Sequence, residues 1–180
     1  PRNFFWGAAT SAYQVEGNDS NSDWWPWEKA SGKEPSGEAC RHYELYEQDF
    51  DLAKSLNHNA HRLSIEWARI EPEEGKFYKK ELRHYINVIL ALKKRDIEPF
   101  VTLHHFTNPV WLSEKGGWEN RKAVEYFLRE KFKGTSNRLV GYVVASTKEG
   151  ASPVEFGAGE FRLPVVTLDT LTRNLPRGTR

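Results

Sequence analysis

The sequence predicts an α/β protein built on a parallel sheet, and three observations predict it. Three short apolar stretches, "FFWGAA" (4–9), "AHRLSIEW" (60–67) and "PFVTLHHF" (99–106), each suit a buried strand and each run into polar or aromatic residues. Amphipathic helical stretches lie between them. The resulting order of strand, helix, strand, helix, strand, helix implies parallel pairing through right-handed crossovers.

Taken in order, the first strand runs from Phe4 to Ala9 and leads into a long segment from Gln14 to Ala39. That segment carries "DSNSDWWPWEK" and several glycines. It is too aromatic for a linker and reads as a large loop on the face where parallel-sheet enzymes place their sites. A helix follows over 40–56, where Tyr43, Tyr46, Phe50, Ala53 and Leu56 recur three or four residues apart on one stripe. The second strand covers Ala60 to Trp67. The next helix, 79–96, repeats the pattern with Leu82, Tyr85, Ile86, Ile89 and Leu92, and Lys93, Lys94 and Arg95 suit its C-terminal end. The third strand is Pro99 to Phe106, and a third helix is expected over Arg121–Phe132. One further step reaches "RLVGYVVAS" (138–146) as a candidate fourth strand.

The 180 residues fit one domain with a sizeable core. A formal net charge of +1 with both signs scattered argues against a nucleic-acid surface. The single cysteine, Cys40, excludes an intramolecular disulfide framework and fits a reducing compartment, so a cytoplasmic location is expected. No apolar run approaches a membrane span, and no signal peptide is apparent. The sequence contains no methionine, so residue 1 is not expected to be the start of the gene product. All seven tryptophans and all six histidines precede residue 128. The remainder is rich in Thr, Gly, Arg and Val. The expected division is therefore 1–128 and a divergent tail, 129–180.

Several polar residues stand where chemistry is plausible. Gln14 follows a predicted strand and offers both an amide donor and an acceptor, which suits sugar hydroxyls; it equally suits bonding to local backbone. Arg62 lies inside an apolar strand, where a guanidinium needs a carboxylate. That carboxylate is either a catalytic group that Arg62 orients or a structural ion-pair partner, and Glu66 and Arg69 are candidates for the same network. His104 and His105 close the third strand and alternate between its faces, so at most one serves a given site. His105 either donates to a sugar hydroxyl or is a hydrogen-bonded core histidine. The histidines show no metal-ligand spacing, so neither metal nor cofactor is expected. Trp24, Trp25 and Trp27 are core residues or walls of a small-molecule pocket, where aromatic faces can pack on sugar rings.

The stretches "FFWGAATSAYQVEG", "NAHRLSIEWARIEP", "VTLHHFTNPVWL" and "GGWENRKAVEYF" together resemble the N-terminal part of glycoside hydrolase family 1, the β-glucosidases and β-galactosidases, over about residues 3–128. The resemblance implies the first three or four β/α units of an eight-stranded β/α TIM barrel, with its site at the strand C-terminal ends. It implies that Gln14 and His105 bind glycone hydroxyls, that Arg62 supports the nucleophile, and that His104 packs elsewhere. Phe106 stands where many members have Trp.

Such enzymes retain configuration by means of two carboxyl groups about 5–5.5 Å apart. In the family these are the Glu of an Asn-Glu-Pro motif after strand four and the Glu of a Thr-Glu-Asn-Gly motif on strand seven. Neither motif occurs in this sequence. Where strand four should end the chain reads "VVASTKEGAS", with Glu149 as the nearest stand-in. The expectation is a truncated retaining β-glycosidase without catalytic residues of its own, binding a β-glucoside or β-galactoside type sugar and self-associating through an open barrel edge. The alternative is a non-catalytic sugar-binding or scaffold protein derived from the same barrel.

Overall fold

A four-stranded sheet in the order β1-β2-β3-β4 organises the chain. The computed structural model describes residues 4–131 and 144–145, with side chains to residue 127. The elements are β1 (Gly7–Ala9), α1 (Ala12–Val15), α2 (Trp24–Ala30), α3 (His42–Ser55), β2 (Ala60–Ser64), α4 (Trp67–Ile70), α5 (Lys79–Lys94), β3 (Glu98–Thr102), α6 (Val110–Glu114), a 3-10 turn (Gly117–Glu119), α7 (Lys122–Lys131) and β4 (Val144–Ala145). The first three strands pair in parallel, with Gly7 opposite Ala60 and Arg62 opposite Phe100. Gly7 is required by this contact: a Cβ there would lie 1.8 Å from the Ala60 carbonyl oxygen.

Side-chain alternation divides the sheet. Leu63 and Val101 point outward and meet Phe50 and Ala53 of α3, Val88, Ile89, Ala91 and Leu92 of α5, and Ile97 in the main core. The stripes on α3 and α5 thus cover the outer face, as their period predicts. Leu56 leaves the stripe and is exposed, because α3 ends at Ser55 and the helical progression ends with it. A second cluster forms around Trp67, Leu112 and Ala123, with Trp111, Tyr126 and Phe127 packed against it. On β3 the opposite face carries Glu98, Phe100 and Thr102, all half-buried.

Five expectations change. The first strand begins at Gly7 rather than Phe4, because the Asn59 side chain takes over the pairing there: Trp6 N donates to Asn59 Oδ1 (2.6 Å) and Asn59 Nδ2 donates to the Phe4 carbonyl (2.9 Å). The second strand stops at Ser64, since Glu66 accepts from Ala68 N and caps α4. The third stops at Thr102. The Gln14–Ala39 segment is not one loop: it contains α1 and the seven-residue α2, "WWPWEKA", whose Pro26 sits in the first turn where no backbone N–H is needed. Of the candidate fourth strand, 138–146, the described residues are 144–145; they form β4 and pair antiparallel rather than parallel, Val101 opposite Ala145. Antiparallel pairing is slightly the more stable per residue. The rest of the 129–180 tail beyond Lys131, Glu149 included, lies outside the described residues.

Candidate glycone site at the strand ends

Arg62, on the inner face of β2, donates from Nη1 to the Thr10 carbonyl just beyond β1 (2.6 Å). This bond ties β2 to the chain entering α1, where Gln14 sits exposed and accepts from the Ser11 hydroxyl (2.8 Å). Gln14 thus makes a local bond through its amide oxygen to a side chain rather than to backbone. Arg62 has no ion pair with a carboxylate among the described residues.

The two adjacent histidines part company. The His104 ring packs edge-on to Trp118 (5.1 Å between centroids), Phe127 (6.0 Å) and Trp67 (6.4 Å) in the outer aromatic cluster. His105 is half-buried and lies close enough to Arg62 for the guanidinium to act on it. Desolvation first, and the Arg62 cation second, hold its pKa below the ordinary imidazole value. Arg62 thus lies on β2, beside the strand that leads into His105, and its bond to Thr10 links it to the chain that carries Gln14. The next residue, Phe106, has φ +68°, with Thr107 N donating to the His105 carbonyl (2.9 Å). This is a γ-turn of positive φ, a strained conformation for a bulky side chain, and it leaves the Phe106 ring projecting into solvent beside His105.

Residues absent from the sequence-based candidates fix these loops. Asp23 accepts from the backbone N–H of Asn108 (3.0 Å), from its Nδ2 (3.0 Å) and from the Ser113 hydroxyl (2.8 Å). Asp23 N in turn donates to the Asn108 carbonyl (2.8 Å). Asn21 Nδ2 donates to the carbonyls of Ala68 (3.0 Å) and Pro72 (2.9 Å). The segment after β1 is thereby clamped to those after β2 and β3. The only sequence signal for it is the polar run "EGNDSNSD" and the "TNP" after His105.

Beneath the loops lies a buried charge network. Glu16 accepts from Arg69 Nε (2.8 Å) and from the Tyr85 hydroxyl (3.0 Å). Burial pushes Glu16 up to about 7, although Arg69 and Tyr85 pull against it. The expected partnership of Glu66 and Arg69 takes a different form, for Arg69 is drawn to Glu16, and Glu66 accepts instead from Thr107 Oγ1 (2.9 Å). Among the described residues no group of three or more His, Cys, Asp or Glu side chains is arranged to hold a metal ion, and no helix is long and apolar enough to cross a membrane.

Residues 1–139 match the family model for glycosyl hydrolase family 1. The chain is 39% identical over 137 residues to beta-glucosidase A of Acetivibrio thermocellus, an alignment covering 71% of this chain and 31% of that protein. It is 36% identical over 132 residues to a 6-phospho-beta-galactosidase of Clostridium acetobutylicum, covering 70% and 28%. Among solved structures, a beta-glycosidase from Pyrococcus horikoshii superposes with a TM-score of 0.68 at 43% identity, covering 73% of this chain and 32% of that one. The chain thus spans about a third of the length of these relatives.

Proposed function

Because the chain belongs to glycosyl hydrolase family 1, we propose that it forms the glycone-binding side of a retaining β-glycosidase site without the carboxylate pair that performs the chemistry. Its fold is that of a partial β/α barrel. The observation that carries this reading is that the family match spans Gln14, Arg62 and His105, with Arg62 of β2 tied to the Thr10 carbonyl and paired beside the strand that leads into His105. His105, neutral at pH 7, offers one ring nitrogen as donor and the other as acceptor, which suits a sugar hydroxyl. Gln14 offers the same pair of functions from its amide. Arg62 is fixed by Thr10 and presents a cation where the family resemblance places the nucleophile. The relatives' names, beta-glucosidase and 6-phospho-beta-galactosidase, support a β-linked hexoside as the ligand class.

Retention of configuration requires one carboxylate to form a glycosyl-enzyme bond and a second carboxyl to protonate the leaving group. Gln14 and His105 can hold hydroxyls but cannot form and release that intermediate. Removing members of a catalytic set leaves mainly binding and electrostatic help. The purified chain is therefore expected to release no aryl alcohol above background from an activated aryl β-glucoside. Steady release that disappears in Glu149→Gln would overturn this and make Glu149 an acid of the site. Retained hydroxyl binding predicts that Gln14→Ala and His105→Ala each weaken binding of a glucoside by about 0.5–1.5 kcal/mol, read by ligand-observed titration.

A further inference from the structure

A small cavity lies among α1, α3, β2 and α5. Leu63 and Val88 of the main core form part of its wall, and Glu16, His42, Ser64 and His84 bring polar groups to it. Its volume is about 10 Å³. One water needs about 10–15 Å³ on that measure, together with two to four polar partners. The partners come from separate elements: Glu16 follows α1, His42 opens α3, Ser64 closes β2 and His84 lies on α5.

Two of these groups are buried with their hydrogen bonding incomplete. Ser64 Oγ accepts from Ala12 N (2.7 Å), but its hydroxyl proton goes to no group among the described residues. His42 is 8% exposed, and its Nδ1 lies 2.6 Å from Asp49 Oδ2. A carboxylate only accepts, so Nδ1 carries the proton of that bond. His42 Nε2 is buried and has no partner among the described residues. Glu16 spends Oε2 on both Arg69 and Tyr85, which leaves Oε1 as an acceptor. Buried polar groups left in this condition are costly, and a single molecule that both donates and accepts completes all three. A metal ion does not fit the same place: among the described residues no group of three or more His, Cys, Asp or Glu side chains is arranged to hold one. An anion would face the Glu16 carboxyl.

We propose that one internal water occupies this cavity and bridges the Ser64 hydroxyl to His42 Nε2, with the Glu16 carboxyl as its third partner. The water accepts the Ser64 proton. It donates to Nε2 when the ring carries one proton and accepts from Nε2 when the ring carries two, so the same molecule serves both forms. The bridge sits on both sides of Gln14 along the chain. Ser64 already holds Ala12 N, two residues before Gln14, and Glu16 comes two residues after it. The water therefore ties the short helix α1 to the end of β2 and to the start of α3, where no direct side-chain bond joins Ser64 to His42 among the described residues.

A crystal structure of the full chain tests this. One ordered water is expected within about 3.2 Å of both Ser64 Oγ and His42 Nε2. No water density there, or Nε2 bonded to a protein group instead, overturns the proposal. In solution, Overhauser transfer from water to the Ala12 and Val88 methyl protons is expected in the wild type. His42→Phe removes Nε2 and leaves the Ser64 hydroxyl in place, so the transfer should be lost. Transfer that survives undiminished in His42→Phe comes from the exchanging hydroxyl and overturns the bridge, as does its absence from the wild type. Should His42→Phe not fold, the wild-type crystal structure decides alone.

Discussion

At the His105 ring, burial and the Arg62 cation act in the same direction, both against imidazolium. The folded value lies below the unfolded one, so the folded state binds this proton less well. The stabilising contribution is present above the ordinary histidine value and is lost as pH falls through the folded value. His105 is expected to titrate below an ordinary histidine when its ring resonances are followed by NMR, and Arg62→Gln should move the midpoint upward. An unchanged midpoint would mean that the Arg62 charge does not reach the His105 ring. Gly17 shows a different constraint at the same scale. Its φ is +82°, and a Cβ there would lie 1.9 Å from the Glu38 carbonyl oxygen. The "QVEG" stretch thus ends in glycine because two segments of backbone meet at that point.

Among the elements, α3 and α5 cover the outer face of the sheet with the apolar stripes that their period defines. The segments at the strand C-terminal ends build the smaller cluster around Trp67 and Leu112 and are tied to one another by polar clamps. Asp23 is the centre of one, and it satisfies two donors of the buried Asn108 and the Ser113 hydroxyl. Asp23→Ala leaves those donors without their acceptor, and unsatisfied buried donors are costly. A loss of about 2 kcal/mol of stability is expected in denaturant titration. Asp23→Asn, which keeps one acceptor oxygen, should lose less. Equal effects would mean that packing, rather than the acceptor set, holds the segments after β1 and β3 together.

The whole molecule presents a partial barrel with its inner face uncovered among the described residues. The rings of Phe5 and Phe100 meet edge-on at 5.2 Å on that side, Phe5, Phe4 and Trp6 are exposed, and β1 is the terminal strand of the described sheet. An unpaired strand edge beside exposed aromatics favours pairing with another chain. Concentration-dependent self-association is expected in sedimentation velocity, reduced by Phe5→Ser. A monomer at all accessible concentrations would mean that the edge and the aromatics are covered within the chain.

Local pattern determined much of this protein before any tertiary contact was known. The period of Tyr46, Phe50 and Ala53, and of Tyr85, Ile89 and Leu92, defines two helices, and "AHRLSIEW" and "PFVTLHHF" contain two parallel strands, because burial on one face imposes a repeat that the chain displays directly. Four ordered motifs likewise resemble the family to which the chain belongs. Strand ends were not legible in the same way. Asn59 replaces strand pairing at Phe4–Trp6 and Glu66 turns β2 into α4, and both effects depend on side chains reaching backbone that sequence order does not bring near. Sequence alternation separates His104 from His105, but only packing shows that His104 joins Trp67, Trp118 and Phe127 while the His105 ring lies against Phe106. The ion pair of Glu16 with Arg69 has no local signature at all. It joins residues 53 apart in sequence, and burial is what raises the Glu16 carboxyl to about 7 beside that guanidinium.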